Sequence, residues 1–227
     1  PQHPATHGVL RFRVSLEGEI IRKLDVHCGY IHRGIEKMCE SLTYPQTLAL
    51  TDRLDYLGAS QNRHALCRCI EKGLGVEVSE RVQYIRTIMD ELQRIDSHLL
   101  FFACLCMDMG ALTAFFYGFR DREKVLDILE QTTGGRLIQT YNTIGGVQAD
   151  IHPDFVRRVK EFIAYMRPTL REYHEVFTGN VIARERLKGT GVLTREDAVS
   201  FGATGGTGRA SGWACDVRKR HPYAMYG

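Results

Sequence analysis

Positions 9–16 alternate apolar and polar side chains, Val9-Leu10-Arg11-Phe12-Arg13-Val14-Ser15-Leu16, and positions 20–26 resume in the same manner after Glu17-Gly18-Glu19. Alternation on both sides of a glycine-centred turn predicts a β-hairpin. Two strands are marginal alone, so the hairpin is expected to join further strands or to lie on helices. From Thr43 the period lengthens. Leu48, Leu54, Leu57, Leu66 and Ile70 predict two helical pieces around Gly58. Ser79, with Gln83 four residues on, opens a stronger helix in which Val82, Ile85, Met89, Leu92, Ile95 and Leu99 recur every three or four residues. Glu80, Arg81, Gln83, Arg86 and Gln93 fill its other faces, and the helix is expected to end near Gly110.

Residues 121–132 and 153–177 predict two more amphipathic helices, separated by a glycine-rich loop at 143–147. Thr194 with Asp197 caps a short one that runs to Phe201. Beyond it, residues 202–212 carry five glycines and read as a tight backbone turn against another segment or subunit. The stretch looks like a phosphate loop, but it lacks a Gly-Lys-Ser/Thr ending and no buried strand leads into it. The class is α+β with helices dominant: a β-rich region at 1–42, a helical bundle at 43–201, and a glycine-rich turn with a basic tail at 202–227.

The chain of 227 residues, 44% hydrophobic and 25% charged, is long enough to bury a substantial core. A formal charge of +3 is too small to argue for a nucleic-acid partner, although Arg218-Lys219-Arg220-His221 forms a local basic run, read as solvated or partner-facing. No apolar run approaches the ~20 residues that span a bilayer and no signal peptide is present, so a membrane role would come through partners. The seven cysteines show no C-x-x-C spacing, which points to a reducing compartment, and the pairs Cys67/Cys69 and Cys104/Cys106, in apolar helix-like surroundings, read as small buried hydrophobes rather than metal ligands. The abrupt start at Pro1 and end at Gly227 suggest a piece of a longer chain.

Three places hold candidate chemistry. Pro1-Gln2-His3-Pro4-Ala5-Thr6-His7-Gly8 is a shaped loop, since its prolines and glycine forbid helix and ladder pairing; His3 and His7 have the spacing of a helical metal pair, which Pro4 opposes. A backbone-bonded structural histidine stays open there. Thr51-Asp52-Arg53-Leu54-Asp55-Tyr56-Leu57-Gly58 gathers groups able to carry protons, beside the plainer reading of Asp–Arg pairing on a solvated helix face. Asp108 ends the apolar run 99–107; it is either a solvent carboxylate at a helix end or, if buried, in need of a cationic donor such as histidine.

Together these places make the chain recognisable. Pro1 to Arg11 is similar to a GPQHPAxHGVLR opening, and Gly29 to Lys37 to GYxHRGxEK. The match continues through 52–56, 108–113, Phe115-Phe116, 120–124, 145–147, 209–212 and 216–219. Nearly the whole chain thus resembles the D-type subunit family of respiratory complex I, NADH:quinone oxidoreductase, itself related to the large subunit of [NiFe] hydrogenases. The resemblance implies that fold, and further chain beyond this one.

It also implies a role. The subunit would form the pocket for a quinone headgroup, ubiquinone or menaquinone, with an adjoining iron–sulfur subunit that holds the terminal cluster. His7 and Tyr56 would hydrogen-bond the quinone carbonyls, Asp108 would back His7, and Arg33 would face the neighbouring cluster. NAD and the iron–sulfur clusters would belong to partner subunits of the peripheral and membrane arms, with no metal in this chain. It would lie on the cytoplasmic side of the bacterial inner membrane, held there through partners. The equivalent subunit of a ferredoxin- or deazaflavin-driven complex, or a membrane-bound hydrogenase-related subunit or scaffold without nickel, is the alternative.

Departures from the family pattern matter as well. Where hydrogenases read R-x-C-G-x-C and bind nickel and iron, Asp55 and Gly58 take the cysteine places, so half the metal site is missing. Ile138 replaces a histidine that lies near the terminal cluster in many members, which suggests a lower-potential cluster feeding a menaquinone-type acceptor.

Overall fold

The computed structural model describes residues 10–227, in two units that divide between Thr43 and Tyr44. His3 and His7 lie outside the described residues.

The first unit contains the expected hairpin. Strand β1 (Arg11–Glu17) pairs antiparallel with β2 (Ile20–His27), from Arg11 opposite His27 to Glu17 opposite Ile20, with a register shift between Ser15 and Leu16. Gly18 opens the two-residue turn at φ 58°, a left-handed value that a side chain resists. Phe12, Val14 and Leu16 stand opposite Val26, Leu24 and Ile21, all of them exposed. Among the described residues the sheet has these two strands. A short helix α1 (Ile35–Cys39) completes the unit, with Arg33 exposed just before it.

The second unit is helical and is built on one long element. Helices α2 (Tyr44–Thr51) and α3 (Ala59–Leu74) flank a single 3-10 turn, Tyr56–Gly58. Helix α4 (Glu80–Asp108) follows, with Ser79 accepting a hydrogen bond from the Val82 amide as its N-cap. Its apolar stripe, Ile85, Met89, Leu92 and Leu99, packs against Val125, Ile128 and Leu129 of α5 (Leu112–Thr133). Phe155, Phe162, Met166 and Tyr173 of α6 (Phe155–Tyr173) complete that core. Between α5 and α6 the glycine-rich segment forms a tiny antiparallel pair, β3 (Asn142–Thr143) with β4 (Gly146–Val147), turning at Gly145 with φ 83°.

Helix α5 begins at Leu112, nine residues before its expected start at Asp121. A run of aromatic residues and Gly118 hides its helical period. Gly118 has a packing reason: a Cβ there would come within 2.8 Å of the Ala103 Cβ and 3.0 Å of the Leu99 carbonyl oxygen, so α4 and α5 approach closely only at a glycine.

After α6 the chain makes one π turn, His174–Thr178, then α7 (Val181–Leu187), which the sequence pattern did not reveal. The predicted cap holds at α8 (Arg195–Ser200), where Thr194 accepts from the Asp197 amide. The reading of 202–212 as a turn is corrected: Gly205–Ala210 is a short helix, α9. Gly208 sits against the Ala203 carbonyl and Trp213, leaving no room for a side chain. A last helix, α10 (Val217–Arg220), carries the basic run. Arg218 is bound by Asp216 and Glu91, whereas Lys219 and Arg220 are exposed, as the solvated reading expects.

Gly118→Ala should cost about 1–3 kcal/mol of stability through overpacking at the α4–α5 crossing. Denaturant unfolding checks this, and an unchanged midpoint would contradict the close approach.

Candidate functional site

Tyr56 occupies the middle of a tightly held stretch. Asp55 accepts a hydrogen bond from the Leu57 amide at 3.1 Å, while the Asp55 carbonyl receives the Gly58 amide at 2.9 Å and the Asn62 side chain at 3.0 Å. The Leu57 carbonyl receives Gln93 Nε2 of α4 at 3.1 Å. Tyr56 itself is half-buried. Just upstream, Asp52 is fully buried and paired with Arg63 of α3, Nη1 to Oδ2 3.1 Å. Burial raises the Asp52 pKa, and Arg63 opposes that rise only in part. The pairing of aspartate and arginine on a solvated face is therefore corrected. Arg63 is the partner and the pair is internal, while Arg53 is exposed and donates to the Ala49 carbonyl.

Behind this turn, α4 carries a buried file of polar residues at positions 86, 90, 93 and 96. Arg86, 1% exposed, meets Glu71 through two nitrogens at 2.7 and 3.0 Å and also donates to the Thr143 and Gly146 carbonyls. Glu71 accepts the Gly145 amide as well; burial would raise its pKa, but these bonds outweigh burial and lower it. Asp90 binds His64 Nδ1 at 2.6 Å and receives Ser60 Oγ at 2.9 Å. Asp96 pairs with Arg122 of α5, Nε to Oδ1 2.9 Å, and burial pushes its pKa up to about 6 against that arginine. Arg86 and Gln93 lie off the apolar stripe, as the sequence pattern has them, yet both are inside. Their signal was the spacing 86, 90, 93, which runs beside the apolar stripe and marks a helix covered on two sides.

Asp108 is the last residue of α4 and is exposed, so the helix-end reading is the one found. A carboxylate at the negative end of a 29-residue helix is electrostatically disfavoured there and gains from a nearby cation. Next to it, Met109, Gly110 and Ala111 line a largely apolar cleft of about 170 Å³ with Val176 and Phe177 of the π turn and Ile182 of α7. Tyr56 and Asp108 thus stand on the same unit at different levels of α4: Gln93, which holds the Tyr56 turn, lies 15 residues, about 22 Å of helix rise, before Asp108. His7 is outside the described residues, and Arg33 belongs to the other unit.

The cysteines are free thiols among the described residues. Cys67 and Cys106 are buried as expected, and burial pushes each thiol up to about 11; Cys69 is exposed, against expectation. Among the described residues no group of three or more His, Cys, Asp or Glu side chains is arranged to hold a metal ion. Asp55 serves as the cap of the 3-10 turn, and a Cβ on Gly58 would meet Asp55 and Gln61 at 3.1 Å. No described helix is long and apolar enough to cross a membrane.

The fold and these residues define a mainly helical module with a small β-hairpin unit. Residues 108–227 match the family described as the 49 kDa subunit of respiratory-chain NADH dehydrogenase. The whole chain is 91% identical to part of the C/D subunit of the NADH-quinone oxidoreductase of Phocaeicola vulgatus and covers 44% of that protein. It is 80% identical to the protein of the same description from Bacteroides thetaiotaomicron, covering 43% of it. It is 44% identical to the D subunit of the NADH-quinone oxidoreductase of Geobacillus kaustophilus, covering 62%. The chain belongs to the family of the 49 kDa subunit of respiratory-chain NADH dehydrogenase. It spans less than half the length of the first two relatives.

Two outcomes test the buried pairs. Glu71→Gln should cost about 3–5 kcal/mol in denaturant unfolding, because the Arg86 guanidinium would stay buried without its carboxylate. Asp96 has a folded pKa of about 6 against 3.8 unfolded, so as pH rises through that window the unfolded chain releases its proton first. Folding stability then falls, by at most about 3 kcal/mol. The stability of the wild type relative to Asp96→Asn should therefore decline as pH rises from about 4 to about 6.5; a flat difference would contradict the buried assignment.

Proposed function

We propose that this chain supplies the quinone-headgroup site of a membrane-bound NADH:quinone oxidoreductase, with His7 and Tyr56 as proton donors and Asp108 as the carboxylate that backs His7. Electrons would arrive from the terminal iron–sulfur cluster of an adjoining subunit, which Arg33 would face. Family membership along the chain supports this reading, together with the names of its relatives. The single structural observation that carries it is the held turn at Tyr56: a half-buried phenol whose flanking carbonyls are fixed by Asn62 and Gln93.

Reduction of a quinone to a quinol adds two electrons and two protons, and each carbonyl oxygen gains negative charge that a donor must meet. A phenol with pKa near ~10 keeps its proton until that charge develops, which suits one oxygen. An imidazolium suits the other, and the Asp108 carboxylate at the end of α4 both favours the imidazolium and is relieved by it. Once His7 gives up its proton, Asp108 loses that cation, and the charge change would be available to partner subunits that move protons. The placement on the cytoplasmic side of the inner membrane, peripheral through partners, belongs to the same reading, as does a menaquinone-type acceptor.

Tyr56→Phe in the assembled enzyme should slow quinone reduction roughly tenfold to a hundredfold while the upstream clusters are still reduced at the normal rate. Turnover at the wild-type level in that variant would refute the role of Tyr56.

A further inference from the structure

Tyr56 stands between two anchored peptide groups. The carbonyl before it, that of Asp55, receives the Gly58 amide and Asn62; the carbonyl after it, that of Leu57, receives Gln93. With both held, the backbone at Tyr56 cannot turn, and the phenol keeps only its two side-chain torsions.

Gln93 is unusual among these anchors. It is fully buried, and its Nε2 is shared between the Leu57 carbonyl and Asp96 Oδ2, each at 3.1 Å. Its Oε1 is buried without a hydrogen-bond partner, a cost that a purely space-filling position would shed by carrying an apolar residue. Asp96 is fully buried and ion-paired with Arg122, Nε to Oδ1 2.9 Å, with a hydrogen bond from Nη2 to Oδ2 at 3.3 Å. The amide therefore cannot rotate away without losing a charge-assisted contact, and it ties the Tyr56 turn to α4 and α5 at once.

We propose that Gln93 is a positioning residue for Tyr56, with Asp96 and Arg122 fixing Gln93 in turn. This rests on the reading of Tyr56 as a quinone donor. Gln93 touches no reacting atom; it acts through the Leu57 carbonyl by holding the direction in which the phenol is presented.

A double-mutant cycle in the assembled membrane enzyme tests this, with quinone KM and kcat measured for Tyr56→Phe, Gln93→Met and the pair. Methionine keeps the length and volume of glutamine without its donor. Gln93→Met should raise the quinone KM about fivefold, the loss expected for one hydrogen bond, with cluster reduction by the upstream donor unchanged. Added to Tyr56→Phe it should change nothing, because no phenol is left to position. Penalties that multiply in the pair, or a wild-type KM in Gln93→Met, would overturn the proposal. Wild-type turnover of Tyr56→Phe alone would overturn the reading beneath it. Should Gln93→Met fail to assemble, Arg122→Lys loosens Asp96 and leaves Gln93 in place. That variant should raise KM about twofold and again add nothing to Tyr56→Phe, and multiplying penalties there would also overturn the proposal.

Discussion

A guanidinium taken out of water must meet a carboxylate, and Arg86, almost wholly buried in the middle of α4, is the residue on which the second unit turns. Its two bonds to Glu71 join α4 to α3, and its bonds to the Thr143 and Gly146 carbonyls draw in the small β3–β4 pair. Along the same face Asp90 takes His64 and Ser60, Gln93 takes the turn at Tyr56, and Asp96 takes Arg122 of α5. Replacing such pairs by apolar residues can be neutral or stabilising, so their energy is a poor reason to keep them. Their effect here is geometric: each contact has one partner at one height of the helix. The segments around α4 are thereby set in register to within hydrogen-bond tolerance, which the apolar stripe on the other face does not impose.

That register bears on the proposed chemistry because Tyr56 and Asp108 both depend on α4. The tyrosine is carried by a short turn whose carbonyl is bound to the helix, and the aspartate is the end of the helix itself. The charges are also graded. Asp121 is buried on α5 and held ionised: burial would raise its pKa, but hydrogen bonds from Arg120, Tyr165 and Tyr173 more than offset this. Asp96, with one arginine, is pushed the other way. Two buried aspartates on neighbouring helices thus differ in proton affinity through the balance each strikes between burial, which raises the pKa, and the donors it has found, Arg122 and Gln93 for Asp96.

Much of the fold was legible in residue periodicity. Alternation gave the hairpin, and apolar residues every three or four positions gave α4 and α6, because each rule reports burial on one face. Helix α5 was half missed because Gly118 and the aromatic residues before it do not look helical, and the reason for that glycine is a tertiary contact with Ala103. Arg86 and Gln93 stand off the apolar stripe, where polar residues of a helix usually meet water; only the three-dimensional pairing with Glu71, Leu57 and Asp96 shows why they are inside. The candidate site was legible through motif resemblance at Tyr56 and Asp108, whereas Asn62, Gln93 and Asp96, which hold Tyr56 in place, lie outside the matched motifs and are scattered over α3 and α4.

The central claim is that the Tyr56 turn is a fixed element rather than a loose connection between α2 and α3. Hydrogen exchange at the Leu57 and Gly58 amides in the assembled complex measures this most directly. Protection matching that of the core amides of α4 is the expected result. Exchange at the rate of an open loop would contradict the account.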